Sequence, residues 1–381
     1  MDFQLTKEQQ MLRKMYRDFV ANEVEPIAAE IDEEERFPSG TIPKMAKLGM
    51  MGIPFPKKYG GAGGSNLDYA MCIEELAKAC TTTSVIVAAH TSLCCYPIYK
   101  FGTEEQKMKY LPDLLSGKKV GAFGLTEPEA GSDAAGQQTE AVLEGDHYVL
   151  NGTKCFITNA SEASTFVVFA MTDKTKGNHG ISAFIVEKGF EGFSIGKHEK
   201  KMGIRGSATS DLVFQDCIVP KENLLGKEGK GFKVAMGTLE GGRVGVAAQA
   251  LGIAEGAIAE TVKYTGERMQ FGRRISQFQN TQFKLADLES STEAAQLLVY
   301  RAAVAKDNND PMTGYYSSMA KLYAGGNAST VTRECLQLFG GYGYIRDFPI
   351  ERMMRDAKIT EIYEGTSEVQ RMIVSRAMGV K

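Results

Sequence analysis

Between about residues 118 and 230 the chain abandons the helical repeat that governs both of its ends. That interruption restricts it to folds that set a β unit between helical units. Residues 139–144 and 147–150 flank Gly145-Asp146, a hairpin signal. Short runs rich in Val, Ile and Phe follow at 165–171, 181–186 and 212–219, bounded by Gly, Asp and Lys. Their length favours strands over helices. No helical pattern of ten or more residues lies between them, so helical crossovers to parallel strands are not expected and the unit reads as antiparallel.

The flanks are helical. Thr6 with Gln9 forms a capping box, and Leu12, Met15, Tyr16 and Phe19 repeat at helical spacing. Pro26, Pro38 and Pro43 divide the first region into short helices. Pro54, Pro56 and Gly60-Gly61-Ala62-Gly63-Gly64 mark a loop with neither a dinucleotide fingerprint nor a Walker lysine. After residue 230, four stripes predict four amphipathic helices: Val244/Ala247/Ala248/Leu251, Ala294/Leu297/Leu298/Ala302, Ala328/Val331/Cys335/Leu338, and Val369/Met372/Ile373 in a helix starting near Thr366. The expected class is α+β, with an N-terminal helical domain over 1–117, a middle antiparallel β domain over 118–230 and a C-terminal four-helix bundle over 231–381.

Several function classes drop out. With 44 Lys and Arg against 47 Asp and Glu, the formal charge is −3, and no basic block suggests a nucleic-acid partner. No apolar run approaches the ~18 residues of a membrane span, so no membrane insertion is expected. The opening Met1-Asp2-Phe3-Gln4-Leu5-Thr6 resembles neither a signal peptide nor a transit segment. A cytoplasmic location is expected, or an organelle matrix after removal of a targeting piece. The seven cysteines contain no C-x-x-C, and vicinal Cys94-Cys95 read as small core residues. The four histidines do not fall at metal-ligand spacing, so no metal site is expected.

Two Gly-rich polar segments have unusual grammar. One is Gly124-Leu125-Thr126-Glu127-Pro128-Glu129-Ala130-Gly131-Ser132-Asp133, and the other is Ile362-Tyr363-Glu364-Gly365-Thr366-Ser367-Glu368. In the second, Thr366 can cap the last helix, which puts Glu364 on the loop before it. Gly365 lets the backbone bend close to a ligand. On spacing alone, a solvated carboxylate beside a helix dipole is the stronger reading of Glu364.

These segments resemble the two signatures of the acyl-CoA dehydrogenase family. The resemblance extends along nearly the whole chain. It includes residues 153–158, Phe232-Lys233-Val234-Ala235-Met236-Gly237, Glu267-Arg268-Met269-Gln270-Phe271-Gly272, Gln337-Leu338-Phe339-Gly340-Gly341 and Arg355-Asp356-Ala357-Lys358. The pattern is most similar to short-chain, butyryl-CoA-type members. It implies FAD, and oxidation of an acyl-CoA thioester to the trans-2-enoyl-CoA. Glu364 would remove the α-proton while the β-hydride passes to flavin N5. The thioester oxygen would be polarised by the Glu364 N–H and a ribityl hydroxyl. Burial against flavin should raise the Glu364 pKa. Some relatives carry the base on a bundle helix, at the position held here by Gly242, which cannot serve.

By position, the resemblance places Phe123, Leu125, Thr126 and Ser132 along the flavin ring. Phe156, Ile157 and Thr158 fall on its other face, where many relatives have Trp instead of Phe156. Arg268, Phe271 and Gln279 would reach the adenosine half from a neighbouring chain and meet Gln337, Gly340 and Gly341. Thr366 and Glu368 would cap the flavin end, with Glu368 standing where several relatives carry Gln. Ser132, Glu240, Arg243, Tyr363, Gly365 and Arg376 match substrate-contacting positions, with Phe232 along the pantetheine channel. Arg243 and Arg376 would pair with CoA phosphates. The implied partners are an acyl-CoA, an electron-transferring flavoprotein and three further copies in a dimer of dimers. The alternatives are the enoyl-CoA reductase direction with a bifurcating flavoprotein, or a flavin-dependent oxidase.

Overall fold

A computed structural model describes residues 4–380; the opening Met1, Asp2 and Phe3 lie outside it. Seven helices come first: α1 (Lys7–Phe19), α2 (Ala28–Glu33), α3 (Ile42–Lys47), α4 (Asn66–Ala79), α5 (Thr81–Ala88), α6 (Tyr96–Phe101) and α7 (Glu104–Leu115). α1 begins at the expected capping box: Thr6 accepts from the Gln9 N–H and the Gln9 side chain accepts from the Thr6 N–H. α5 runs into a π-helical turn over Ala89–Cys95, a form of helix often found at functional sites. That turn carries Cys94 and Cys95, both fully buried.

Eight strands follow: β1 (Gly121–Gly124), β2 (Glu140–Glu144), β3 (His147–Ile157), β4 (Thr165–Met171), β5 (Ile181–Glu187), β6 (Phe193–His198), β7 (Ser210–Pro220) and β8 (Leu224–Leu225). β2 and β3 form the hairpin expected at Gly145, which has φ +64°. The main sheet runs β6-β7-β3-β2-β4-β5-β8, and β1 also pairs with β4. Most neighbours are antiparallel, but β1 lies parallel to β4 from Gly121↔Thr165 to Gly124↔Val168, and β2 meets β4 in parallel at Glu140↔Met171. The sequence reading lacked these pairings because the intervening chain returns through a hairpin rather than a crossover helix. β4 is buried on both faces: Phe166, Val168 and Ala170 point into the sheet's own core, while Val167, Phe169 and Met171 meet the helices. Burial on both sides explains a strand without alternation.

The chain then forms α8 (Gly231–Glu267), a small hairpin of β9 (Met269–Gln270) and β10 (Arg273–Arg274), α9 (Gln279–Asp307), α10 (Thr313–Phe339), α11 (Ile350–Ala357) and α12 (Ser367–Ala377). The expected stripe of α8 is buried throughout. α8 also packs closely on α4: a Cβ added at Gly252 would meet Glu74 O at 2.2 Å. On α9 the buried line is Leu288, Thr292, Ala295, Val299 and Ala302, whereas predicted Leu297 is 44% exposed. Of the predicted α12 residues, Met372 is exposed, and Gln370 is the buried residue of that helix. No helix among the described residues is long and apolar enough to cross a membrane.

Candidate active site

The turn before α12 is built from two left-handed residues in succession, Glu364 (φ +53°) and Gly365 (φ +95°), followed by Thr366. Thr366 accepts from the Val369 N–H and starts the helix. A side chain at positive φ is strained, so its surroundings must hold it there. Among the described residues no protein acceptor takes the Glu364 N–H. Tyr363 donates its hydroxyl to Gln249 Oε1 on α8.

The Glu364 carboxylate enters a cavity of about 300 Å³. Its Oε2 is buried without a hydrogen-bond partner. Burial raises its carboxyl to about 7, while Lys321, Arg243 and Lys306 pull in the opposite direction. Lys321 and Lys306 are each lowered to about 8 by burial, against the attraction of nearby carboxylates that include Glu364. Arg243, 5% exposed, also loses hydration, and its Nε has no partner. A carboxylate near neutral pKa, flanked by cations without closing an ion pair, is suited to taking and holding a proton.

Twelve of the predicted positions line this cavity. Phe123 comes from β1, Leu125, Thr126 and Ser132 from the segment after it, Phe156 and Ile157 from the end of β3, and Thr158 from the residue that follows. Phe232, Arg243, Tyr363, Glu364 and Gly365 complete the set. Phe156 has φ +59° and is 64% exposed, so this backbone holds an aromatic ring out of the core. The segment at Leu125 is tied down from beneath. Lys154, fully buried, donates to Leu125 O (3.2 Å), Glu127 Oε1 (2.6 Å) and Gln137 Oε1 (2.9 Å). Glu127 in turn accepts from the Gln138 and Thr139 N–H groups.

Other positions lie elsewhere. Arg268, Gln337, Gly340 and Gly341 share a second groove, where the Arg268 guanidinium lies 5.1 Å over the Tyr342 ring. Phe271, at φ +53° on the β9–β10 turn, is 93% exposed, and Gln279 is exposed at the start of α9. Glu368 is exposed and bonds Arg371, and Arg376 is exposed on α12. Arg376 is not among the residues that line the cavity with Arg243. Glu240 is exposed near Gly314. Sequence reasoning missed Lys321, Gln370, Lys306 and the Lys154 cluster. Lys321 carried one signal: it continues the buried face of α10 through Ser317, Ala324 and Ala328.

The N-terminal, middle and C-terminal domain models of acyl-CoA dehydrogenase match residues 6–118, 122–217 and 229–379. A short-chain-specific acyl-CoA dehydrogenase of Clostridium acetobutylicum is 62% identical over 98% of this chain and 99% of its own. The butyryl-CoA dehydrogenase structure from Megasphaera elsdenii superposes with a TM-score of 0.97 at 52% identity, covering 99% of this chain and 100% of that one. A chain from a study of the electron-transferring flavoprotein of Acidaminococcus fermentans and flavin-based electron bifurcation gives a TM-score of 0.98 at 56% identity, with 99% of both chains covered.

Proposed function

The chain belongs to the acyl-CoA dehydrogenase family, and on that premise we propose that it oxidises a short-chain acyl-CoA, of the butyryl-CoA type, to the 2-enoyl thioester with Glu364 as the base. It is a flavin-dependent oxidoreductase, and FAD is its cofactor. The residues present fit that group. The cavity has Leu125 and Thr126 on one wall and an outward-held Phe156 on another, and Glu364 Oε2 and Arg243 Nε both lack a protein partner. When bound, FAD supplies the two-electron acceptor for the hydrogen that leaves the β-carbon.

The rest falls to the chain's own side chains. Glu364 takes the α-proton onto its carboxylate. The unclaimed Glu364 N–H is a donor for the thioester oxygen as negative charge builds there. Arg243, Lys321 and Lys306 keep enough of the carboxylate ionised despite its burial. Val85, Ala89, Leu93 and Leu239 make the cavity wall apolar and exclude water from the acyl chain. The unpaired, desolvated Glu364 carboxylate facing that cavity is the observation that carries this reading.

Electrons pass on to an electron-transferring flavoprotein, a reading supported by the similarity to the A. fermentans chain. Assembly as a dimer of dimers would let Phe271, 93% exposed in its own chain, find its partner in another. The proposed units are 1–117, 118–230 and 231–381. The test is an anaerobic titration of the flavin-loaded protein with acyl-CoAs of rising length, followed by flavin absorbance. Butyryl-CoA should bleach the flavin best. Preference for long chains would overturn the short-chain part, and no bleaching by any acyl-CoA would overturn the whole reading.

A further inference from the structure

Lys321 on α10 is 1% exposed, and among the described residues no carboxylate pairs with it within salt-bridge distance. Its Nζ donates to Gly365 O at 2.6 Å. The same oxygen accepts from Gln370 Nε2 at 2.8 Å, and that nitrogen also lies 3.4 Å from Glu364 O. Burying an ammonium against a neutral carbonyl is unfavourable unless a negative charge stands nearby. The turn it grips holds the two consecutive left-handed residues, Glu364 and Gly365. A lysine buried at such a place, with a second donor on the same oxygen, is a clamp on the strained turn.

We infer that Lys321 is a positioning residue for the reaction, holding the Gly365 carbonyl so that the Glu364 side chain stays in the cavity. This rests on the reading of Glu364 as the base. The lysine has a second effect through its charge. The charged and titratable groups facing Glu364 are Lys321 from α10, Arg243 from α8, Lys306 from α9, Tyr69 from α4 and adjacent Tyr363. Those facing Lys321 are Glu364, Arg243, Glu361 and Glu368. Of the three cations acting on Glu364, Lys321 has the largest influence in favour of the carboxylate. Gln370 assists the clamp without contributing charge.

The test compares flavin-loaded Lys321→Met, Lys321→Gln and Gln370→Leu with the parent. Lys321→Met should lose roughly tenfold or more in kcat with KM little changed, and the acid limb of its kcat/KM profile should move up by about one pH unit. Lys321→Gln, neutral but still able to donate, should show the same displaced limb with a smaller rate loss, and it serves if the Met variant does not accumulate. Gln370→Leu should lose rate while its limb stays in place. Independently of turnover, infrared difference spectra against Glu364→Gln should show the resting Glu364 carboxyl titrating at higher pH in both lysine variants. If the Glu364 titration and the acid limb stay unmoved in both, the inference is overturned. Because the infrared titration needs no substrate, an enzyme inactive on every acyl-CoA would defeat the proposed function while leaving this coupling measurable.

Discussion

Glu364 Oε2 occupies the space that a side chain on residue 242 would need: a Cβ added to Gly242 would lie 1.9 Å from that oxygen and 3.0 Å from Leu93 Cδ2. The bare backbone of α8 is thus one wall of the pocket that receives the carboxylate. Gly242→Ala should fold, because the obstructing atom is the end of a flexible side chain. The displaced carboxylate should cost roughly tenfold or more in kcat. Steady-state kinetics check this, and parent-like kcat would show that the carboxylate does not work from this position.

Glu364→Gln should remain folded and yellow but lose about 10³-fold in kcat. With Glu364 as the proposed base, the carboxylate is the active form and its carboxyl is raised to about 7, so kcat/KM should climb through that pH and level off above it. The stability sign follows from the same shift. A folded pKa raised above 4.5 favours the protonated form, and that contribution is lost as pH rises through about 7. Flavin-free Glu364→Gln should therefore exceed the parent by about 3 kcal/mol at pH 8, with the difference gone near pH 4. Denaturant melts at the two pH values measure it, and a gap of equal size at both would exclude the linkage.

Removing the ammonium beneath the Leu125 segment should be costly. Lys154→Met leaves buried Glu127 without its counter-ion, a loss of about 3 kcal/mol. Exposed Lys14, paired with Asp18, offers a control: Lys14→Met should change stability by less than ~0.5 kcal/mol. Lys154→Met should also hold flavin less tightly, because the Leu125 carbonyl loses a donor. Equilibrium unfolding and flavin retention on gel filtration test both effects.

Two glycines of α8 should respond in opposite directions. Gly252→Ala gains helix propensity but drives a methyl toward Glu74 O at 2.2 Å, so a net loss of about 1–3 kcal/mol is expected. Gly266 has open space around its missing Cβ, and Gly266→Ala should stabilise by about 0.5–1 kcal/mol. Equal signs in thermal melts would refute the close α4–α8 packing.

Local chemistry was the most readable part of this chain. The Thr6 capping box and the Gly145 hairpin depend on neighbours in sequence, and both stand where they were expected. The β1–β4 pairing depends on residues more than 40 positions apart, and no local rule carries that information. The α9 stripe held at Ala302 and Leu298 but failed at Leu297, which is apolar and yet faces outward, while smaller Thr292 and Ala295 fill the tight inner side. Glu364 stood out only through its motif; by spacing it was a surface carboxylate. Lys321 went unseen because a lysine normally reads as solvated, and its meaning came from the carbonyl 44 positions away that it holds.

α8 is one uninterrupted rod of 37 residues, about 55 Å long. Near its start, Phe232 and Arg243 face the cavity that Glu364 enters, and at its end Arg268 enters the second groove. Loss or gain of a single residue between them would turn everything downstream by about 100° and swing Arg268 off its face. Among descendants of this sequence, insertions and deletions should therefore gather in the turns and spare this helix, since a shift in its phase would uncouple two sites at one stroke.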